Sequence, residues 1–191
     1  MAKKRKKENS MPIKAIKAPQ ESSRDSSSCF EGDRLDFLLD KLQRSVELAK
    51  ASKGQVPDKI WTKLHFAIGV NDVTRVLERM PVPDLNTNSK EDDKTTRVPC
   101  KSPVALQAVL LATDCNPKWL TKHVPVIAAS RNVPVLALRD NKGSSLRLGQ
   151  LVNVRTALAI GIKGRNSIIN KTIEEVLLNS KTAEASLATV G

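Results

Sequence analysis

VALQAVLLATDCNPKWLTKHVPVIAASRNVPVLALRD, residues Val104 to Asp140, decides the architecture. It opens on a continuous apolar run, VALQAVLLATD, the pattern of a central strand covered on both faces. It closes on a second buried strand, VPVLALRD. Between them, NPKWLTKHVPVIAASRN reads as a helix, with Asn116 as its cap and Pro117 in its first turn. Pro125 falls inside that helix and predicts a kink or break. Downstream, SSLRLGQLVNVRTALAIGIKG gives a short helix from about Ser145 and a returning strand, Ala157 to Ile162.

Upstream, GVNDVTRVLERM spans Gly69 to Met80. Gly69 turns the chain and a helix runs from Val70 to Arg79, with Val73, Val76, Leu77 and Met80 as its buried stripe. WTKLHFAIG before it reads as a short strand, Lys63 to Ile68, which places His65 in that strand. GDRLDFLLDKLQRSVELAKASKG reads as a helix. Its Leu35, Leu38, Leu39, Leu42, Val46 and Ala49 recur at helical spacing, Asp33 is its N-cap and Gly54 its stop. The order of helix, strand, helix, strand, helix, strand, helix, strand predicts the α/β class: a three-layer α/β/α sandwich with a mixed sheet.

The expected organisation is a disordered basic tail over 1–30, a structured domain over 31–171 and a C-terminal helix or tail over 172–191. A Pro-rich inserted loop, 81–103, interrupts the domain. The N-terminus, MAKKRKKENS, leads with charge and lacks an apolar segment, so it does not read as a secretory signal. KKRKK at Lys3–Lys7 fits a nuclear-import signal or a solvated run that raises affinity for a polyanion. No run of eighteen apolar residues occurs, and no membrane partner is expected.

The chain carries a net charge of +12. Residues 1–28 hold eight Lys/Arg against three Asp/Glu, and residues 104–171 hold ten against two. Basicity inside the folded part points to a polyanionic partner. Aromatic residues make up 3% and Tyr is absent, which disfavours a base-stacking sheet of the RNA-recognition type. Cys29, Cys100 and Cys115 are widely spaced and stand in no metal-ligand relation to His65 or His123. The chain has no GxSxG, Walker loop or HExxH, so neither catalysis, a metal nor a cofactor is expected.

The start of the helix after Gly69 is unusual. Asn71 and Arg75 share one face, and Asp72 lies three residues before Arg75. Two readings fit. Asn71 caps the helix while Asp72 and Arg75 form a surface ion pair; or the open helix tip meets RNA. A helix N-terminus suits a phosphate, a carboxylate accepts from guanine N–H groups, and arginine donates to guanine O6 and N7.

GVNDVTRVLERM resembles the G-x-N-E-x-x-K/R signature of the kink-turn-binding ribosomal and small nucleolar ribonucleoprotein family. ALQAVLLATDCNPKWLTKHVPVIAASRNVPVLAL is similar to that family's strand, D-x-x-P helix and N-V-P strand. LRLGQLVNVRTALAIGI is similar to its closing L-G helix and strand. The likeness covers roughly Lys63 to Lys163. HFAIGVNDVTRVLER, with apolar residues before the glycine, looks most like the branch formed by the thirty-eight-kilodalton-type protein subunits of ribonuclease P and ribonuclease MRP.

The resemblance implies an α/β/α sandwich that binds a kinked RNA helix with tandem sheared G·A pairs. It implies a non-catalytic place in the nuclear and nucleolar ribonucleoproteins that process precursor tRNA and ribosomal RNA, beside other protein subunits. Gly69 would permit close backbone approach, and Asn71, Asp72 and Arg75 would contact the G·A pairs or their phosphates. The loop from Arg139 to Arg147 would cover a flipped-out nucleotide, with Leu146 as its apolar contact. Lys142, Arg147, Lys163 and Arg165 would meet phosphates. Asp72 stands where the family has Glu and is one methylene shorter. Two other roles stay open: a subunit of a different nucleolar or ribosomal particle, and a protein-interaction adaptor of the same fold.

Overall fold

A computed structural model describes residues 28–82, 104–141 and 143–187. The expected basic tail up to residue 27, most of the inserted loop and Lys142 lie outside the described residues. The elements are β1 (Ser28–Glu31), α1 (Gly32–Ala51), α2 (Asp58–His65), β2 (Phe66–Ile68), α3 (Val70–Arg79), β3 (Leu106–Ala112), α4 (His123–Ser130), β4 (Val135–Arg139), α5 (Ser144–Leu151), β5 (Ala159–Lys163) and α6 (Ile168–Leu187). A single 3-10 turn, Lys118–Leu120, precedes α4.

The sheet runs β1-β4-β3-β5-β2. β4 pairs in parallel with β1 and β3, whereas β5 pairs antiparallel with β3 and β2. It is therefore the mixed sheet expected, with β3 at its centre. Alternation along β3 builds the two cores. Ala108, Leu110 and Ala112 face a cluster with Leu35, Leu38 and Leu42 of α1, Leu148 of α5, and Ile169 and Ile173 of α6. Val109 and Leu111 face a cluster with Val73 and Leu77 of α3 and Val124 and Ala128 of α4, and an irregularity between Leu106 and Ala108 turns Leu106 to that side as well. Both faces of β3 are buried, which is why its sequence lacks polar alternation.

Several local expectations change. Residues 28–31 form an edge strand instead of a tail, with Cys29 opposite Ala137 and Phe30 opposite Leu138. Asp33 does not cap α1; the boundary residue is Glu31, and Asp33 lies in the first turn, where its charge suits the helix dipole. Ser52 closes α1, its N–H reaching Leu48 and its hydroxyl Ala49, so Gly54 serves the turn beyond the helix.

The strand expected from Lys63 is helical as far as His65. Trp61 is buried, stacks on His65 at 4.4 Å and lies edge-on to Phe66 at 6.2 Å. His65 donates from Nδ1 to the Trp61 carbonyl at 3.0 Å. Burying Trp61 favours the helix, and only Phe66–Ile68 finds a ladder, on Ile162, Gly161 and Ile160.

Asn116 and Pro117 do not open the next helix. Pro117 is extended, at φ −78° and ψ 145°, and α4 starts at His123. Pro125 is the third residue of α4, where no intrahelical partner for an N–H exists, so it fits without a break. The C-terminal helix starts at Ile168, and Ile173 and Val176 lie in the core. The packed domain thus continues past residue 171. At the inserted loop, the Leu106 N–H donates to Met80 Sδ at 3.3 Å, so the chain's exit from α3 lies against its return at β3.

Candidate functional site

The site forms where β2 hands over to α3. Gly69 sits at φ 93° and ψ 156°, a conformation essentially reserved for glycine. Its N–H donates to Ala159 of β5 at 2.8 Å, and its carbonyl accepts the first helical bond from Val73 at 3.0 Å. Two strands thereby aim the tip of α3. Val73 and Leu77 anchor the helix below, fully buried, while Asn71, Asp72 and Arg75 are exposed above.

The geometry speaks against the capping and ion-pair reading of those polar groups. Asn71 is the second helical residue, and α3 has no side-chain cap. Among the described residues, Asp72 and Arg75 form no ion pair, and none of the three side chains makes a hydrogen bond. The tip therefore presents an uncommitted amide, carboxylate and guanidinium beside the free N–H groups of the first helical turn.

Lys163 is the charge that senses this tip. Burial, then Arg165, push its ammonium below the ordinary lysine range, while Asp72 pulls it back up. Its Nζ donates to the Lys63 carbonyl at 2.5 Å. Arg165 is exposed two residues on. These two cations stand at the C-terminal end of β5, whereas Gly69 is held by Ala159 at its start.

The other expected contacts separate from this group. Arg147 is partly buried and pairs with Asp36 of α1 at 2.5 Å and with Asp140 at 3.2 Å, so it is turned toward the face opposite α3. Both carboxylates raise its pKa against the effect of burial. Arg139 pairs with Glu31 of β1 at 3.2 Å and stays exposed. Leu146 is half-exposed in α5. Ser145 fixes the start of α5 by donating from its backbone N–H (3.1 Å) and hydroxyl (2.8 Å) to Asp114 Oδ2. Burial opposes the Asp114 charge, but the bonds from Ser145 hold its carboxyl below the usual range.

Sequence reasoning missed the second wall of the site. An open cleft of about 520 Å3 is lined by Gly69, Asn71 and Asp72 and, across from them, by Trp119, Leu120 and His123, with Leu158 also bordering it. His123 Nε2 lies 2.9 Å from Thr74 Oγ1 and ties α4 to α3. Arg131 Nε donates to the Leu77 carbonyl at 3.1 Å and secures the far end of α3. The available signal was Trp119 between Lys118 and Lys122 in a chain poor in aromatics; reading the segment as continuous helix concealed it.

Among the described residues, no group of three or more His, Cys, Asp or Glu is arranged to hold a metal ion. Cys115 is buried and Cys29 exposed. Burial, then the hydrogen bond and charge of Glu31, push the Cys29 thiol up, away from the reactive thiolate. No helix of the described residues is long and apolar enough to cross a membrane.

No family model matches the chain, and no curated protein matches it. Solved structures do. A 15.5-kDa RNA-binding protein from Giardia lamblia is 15% identical, with a TM-score of 0.50 over 80% of this chain and 92% of that one. A protein of unknown function from Bacillus halodurans is 13% identical, with a TM-score of 0.41 over 73% of this chain and 95% of that one. The likeness to the Giardia protein is one of fold.

Proposed function

We propose that this chain is an RNA-binding protein that grips a kink-turn-like element through the tip of α3. One observation carries the reading: Asn71, Asp72 and Arg75 stand exposed and uncommitted at an open helix N-terminus that Gly69 aims away from the sheet. A fold shared with an RNA-binding protein supports it, as does the positive block of residues 104–171. The backbone N–H groups and Arg75 suit phosphate and guanine acceptors, Asp72 suits the guanine N–H edge, and Asn71 suits either. Duplex RNA hides its base edges in a deep groove, so a kinked, unpaired region is the form such a tip can read.

The finer assignment is a non-catalytic subunit of a ribonuclease P or ribonuclease MRP ribonucleoprotein, acting in precursor tRNA and ribosomal RNA processing in the nucleus and nucleolus. The resemblance of HFAIGVNDVTRVLER to that branch supports it. In this role the RNA supplies the chemistry, and the protein stabilises one RNA geometry beside other subunits.

A gel-shift titration at near-physiological salt tests the RNA reading. One RNA carries a kink-turn with tandem G·A pairs; the control replaces them with Watson–Crick pairs. Preference for the kinked RNA, reduced in Asn71→Ala and Arg75→Ala, is the expected result. Equal binding to both RNAs would leave charge alone acting and refute the site. Sequencing the RNA that co-purifies from nuclear extract then tests the particle: RNA other than that of ribonuclease P or MRP would sink the assignment.

A further inference from the structure

Only two of the five aromatic side chains are exposed, Trp119 and Phe37; Trp61, Phe30 and Phe66 are buried. Phe37 lies on α1, on the opposite side of the sheet from α3. Trp119 is 69% exposed and lines the same cleft as Asn71 and Asp72. An indole left in water forgoes a large burial gain, and this one stands where polar groups also lack partners. The 3-10 turn that carries it is fixed: the Thr74–His123 contact joins the following helix to α3, and Leu120 lies partly buried beside it. Lys118 and Lys122 are exposed on either side of the turn.

From these features, we infer that the cleft takes an unpaired nucleobase of the bound RNA, stacked on the Trp119 indole. The inference rests on the RNA-binding reading above and adds a base contact separate from the α5 loop that the resemblance assigned to a flipped-out nucleotide. The chemistry suits a base better than a phosphate or an aliphatic chain. One wall offers an aromatic face, and the other offers an amide and a carboxylate that accept from a base's N–H edge. The base must be unpaired, because a base inside a helix has both faces covered by its neighbours. Lys118 and Lys122 are placed to meet the phosphates of the displaced nucleotide. Trp119 thus supplies stacking to a protein whose sheet has no exposed ring, since both faces of that sheet are covered by helices.

Two measurements test this with the full chain and the kinked RNA. In the first, Trp119→Ala is titrated beside Trp119→Phe and Arg75→Ala. Stacking predicts a loss of roughly 5- to 150-fold for the alanine variant, partial recovery with phenylalanine, and an unchanged melting temperature because the side chain is exposed. In the second, a Trp61→Phe background leaves Trp119 as the only tryptophan. Its emission should be quenched on RNA binding and should stay unquenched with plain duplex. Wild-type affinity in Trp119→Ala, with Arg75→Ala impaired, overturns the stacking and leaves the RNA reading standing. Emission unmoved by saturating kinked RNA does the same, and would return Trp119 to a protein-facing surface. If the wild-type chain does not prefer the kinked RNA at all, both readings fall.

Discussion

Replacing Gly69 by alanine should destabilise the protein without a steric clash. A Cβ built on Gly69 meets nothing within 4 Å, so the whole cost is conformational. The residue sits at φ 93° and ψ 156°, where an L-residue is strained by about 1–3 kcal/mol. Alanine also stiffens the unfolded chain, which offsets about 0.4–1 kcal/mol. The middle of these ranges leaves a net loss of about 1.3 kcal/mol, a fall of roughly 3–5 °C in Tm for a chain of this size. Urea and thermal unfolding followed by circular dichroism would measure it. Relief by rotating the peptide would break the 2.8 Å bond to Ala159 and tilt the start of α3. Preference for the kinked RNA should therefore fall with stability. A Tm equal to or above wild type would refute the strained conformation. Lost RNA binding at unchanged stability would place the role of Gly69 in RNA contact alone.

Asp114→Ala should cost about 1 kcal/mol at neutral pH, the worth of a capping carboxylate. Because the folded carboxyl lies below its ordinary value, that stabilisation is present above roughly pH 4 and is lost as pH falls further. Urea melts should show the gap between wild type and variant closing only in acid; a gap unchanged at pH 2.5 would contradict the contact. Ile173→Ala should cost about 2–5 kcal/mol, since the side chain is fully buried, and a loss of only tenths in chemical denaturation would detach α6 from the core. Asp72→Asn should move the Lys163 ammonium further down, because Asp72 is the carboxylate that raises it. An NMR titration finding no change would put Asp72 out of reach of Lys163.

The parts of this fold legible in the sequence are those with a strong period or an unbroken apolar run. The stripe of Val73 and Leu77 defined α3 to its end residues, and LQAVLLA marked β3 as central. β1 was hidden because its one core side chain, Phe30, has no local pattern; its ladder comes from Leu136 to Arg139, distant in the chain. α2 was misread at its end because Leu64, Phe66 and Ile68 alternate with Lys63 and His65 as in a strand, whereas burial of the Trp61 ring is a tertiary fact. The tip of α3 was legible as chemistry, since its residues are neighbours in sequence. The wall carrying Trp119 was not, because it reaches α3 only through packing of α3 on α4. Arg147 misled for the converse reason: its basic side chain looked free, and Asp36 of α1 holds it.

The bond from the Leu106 N–H to Met80 Sδ has a practical side. It fastens together the two points between which the 81–103 insertion leaves and rejoins the domain, so the length of that insertion is decoupled from the geometry it spans. The same position is a port for foreign sequence. A fluorophore, an affinity handle or a split-protein half placed there would be carried by a fixed stem at the C-terminal end of α3, away from the tip of that helix.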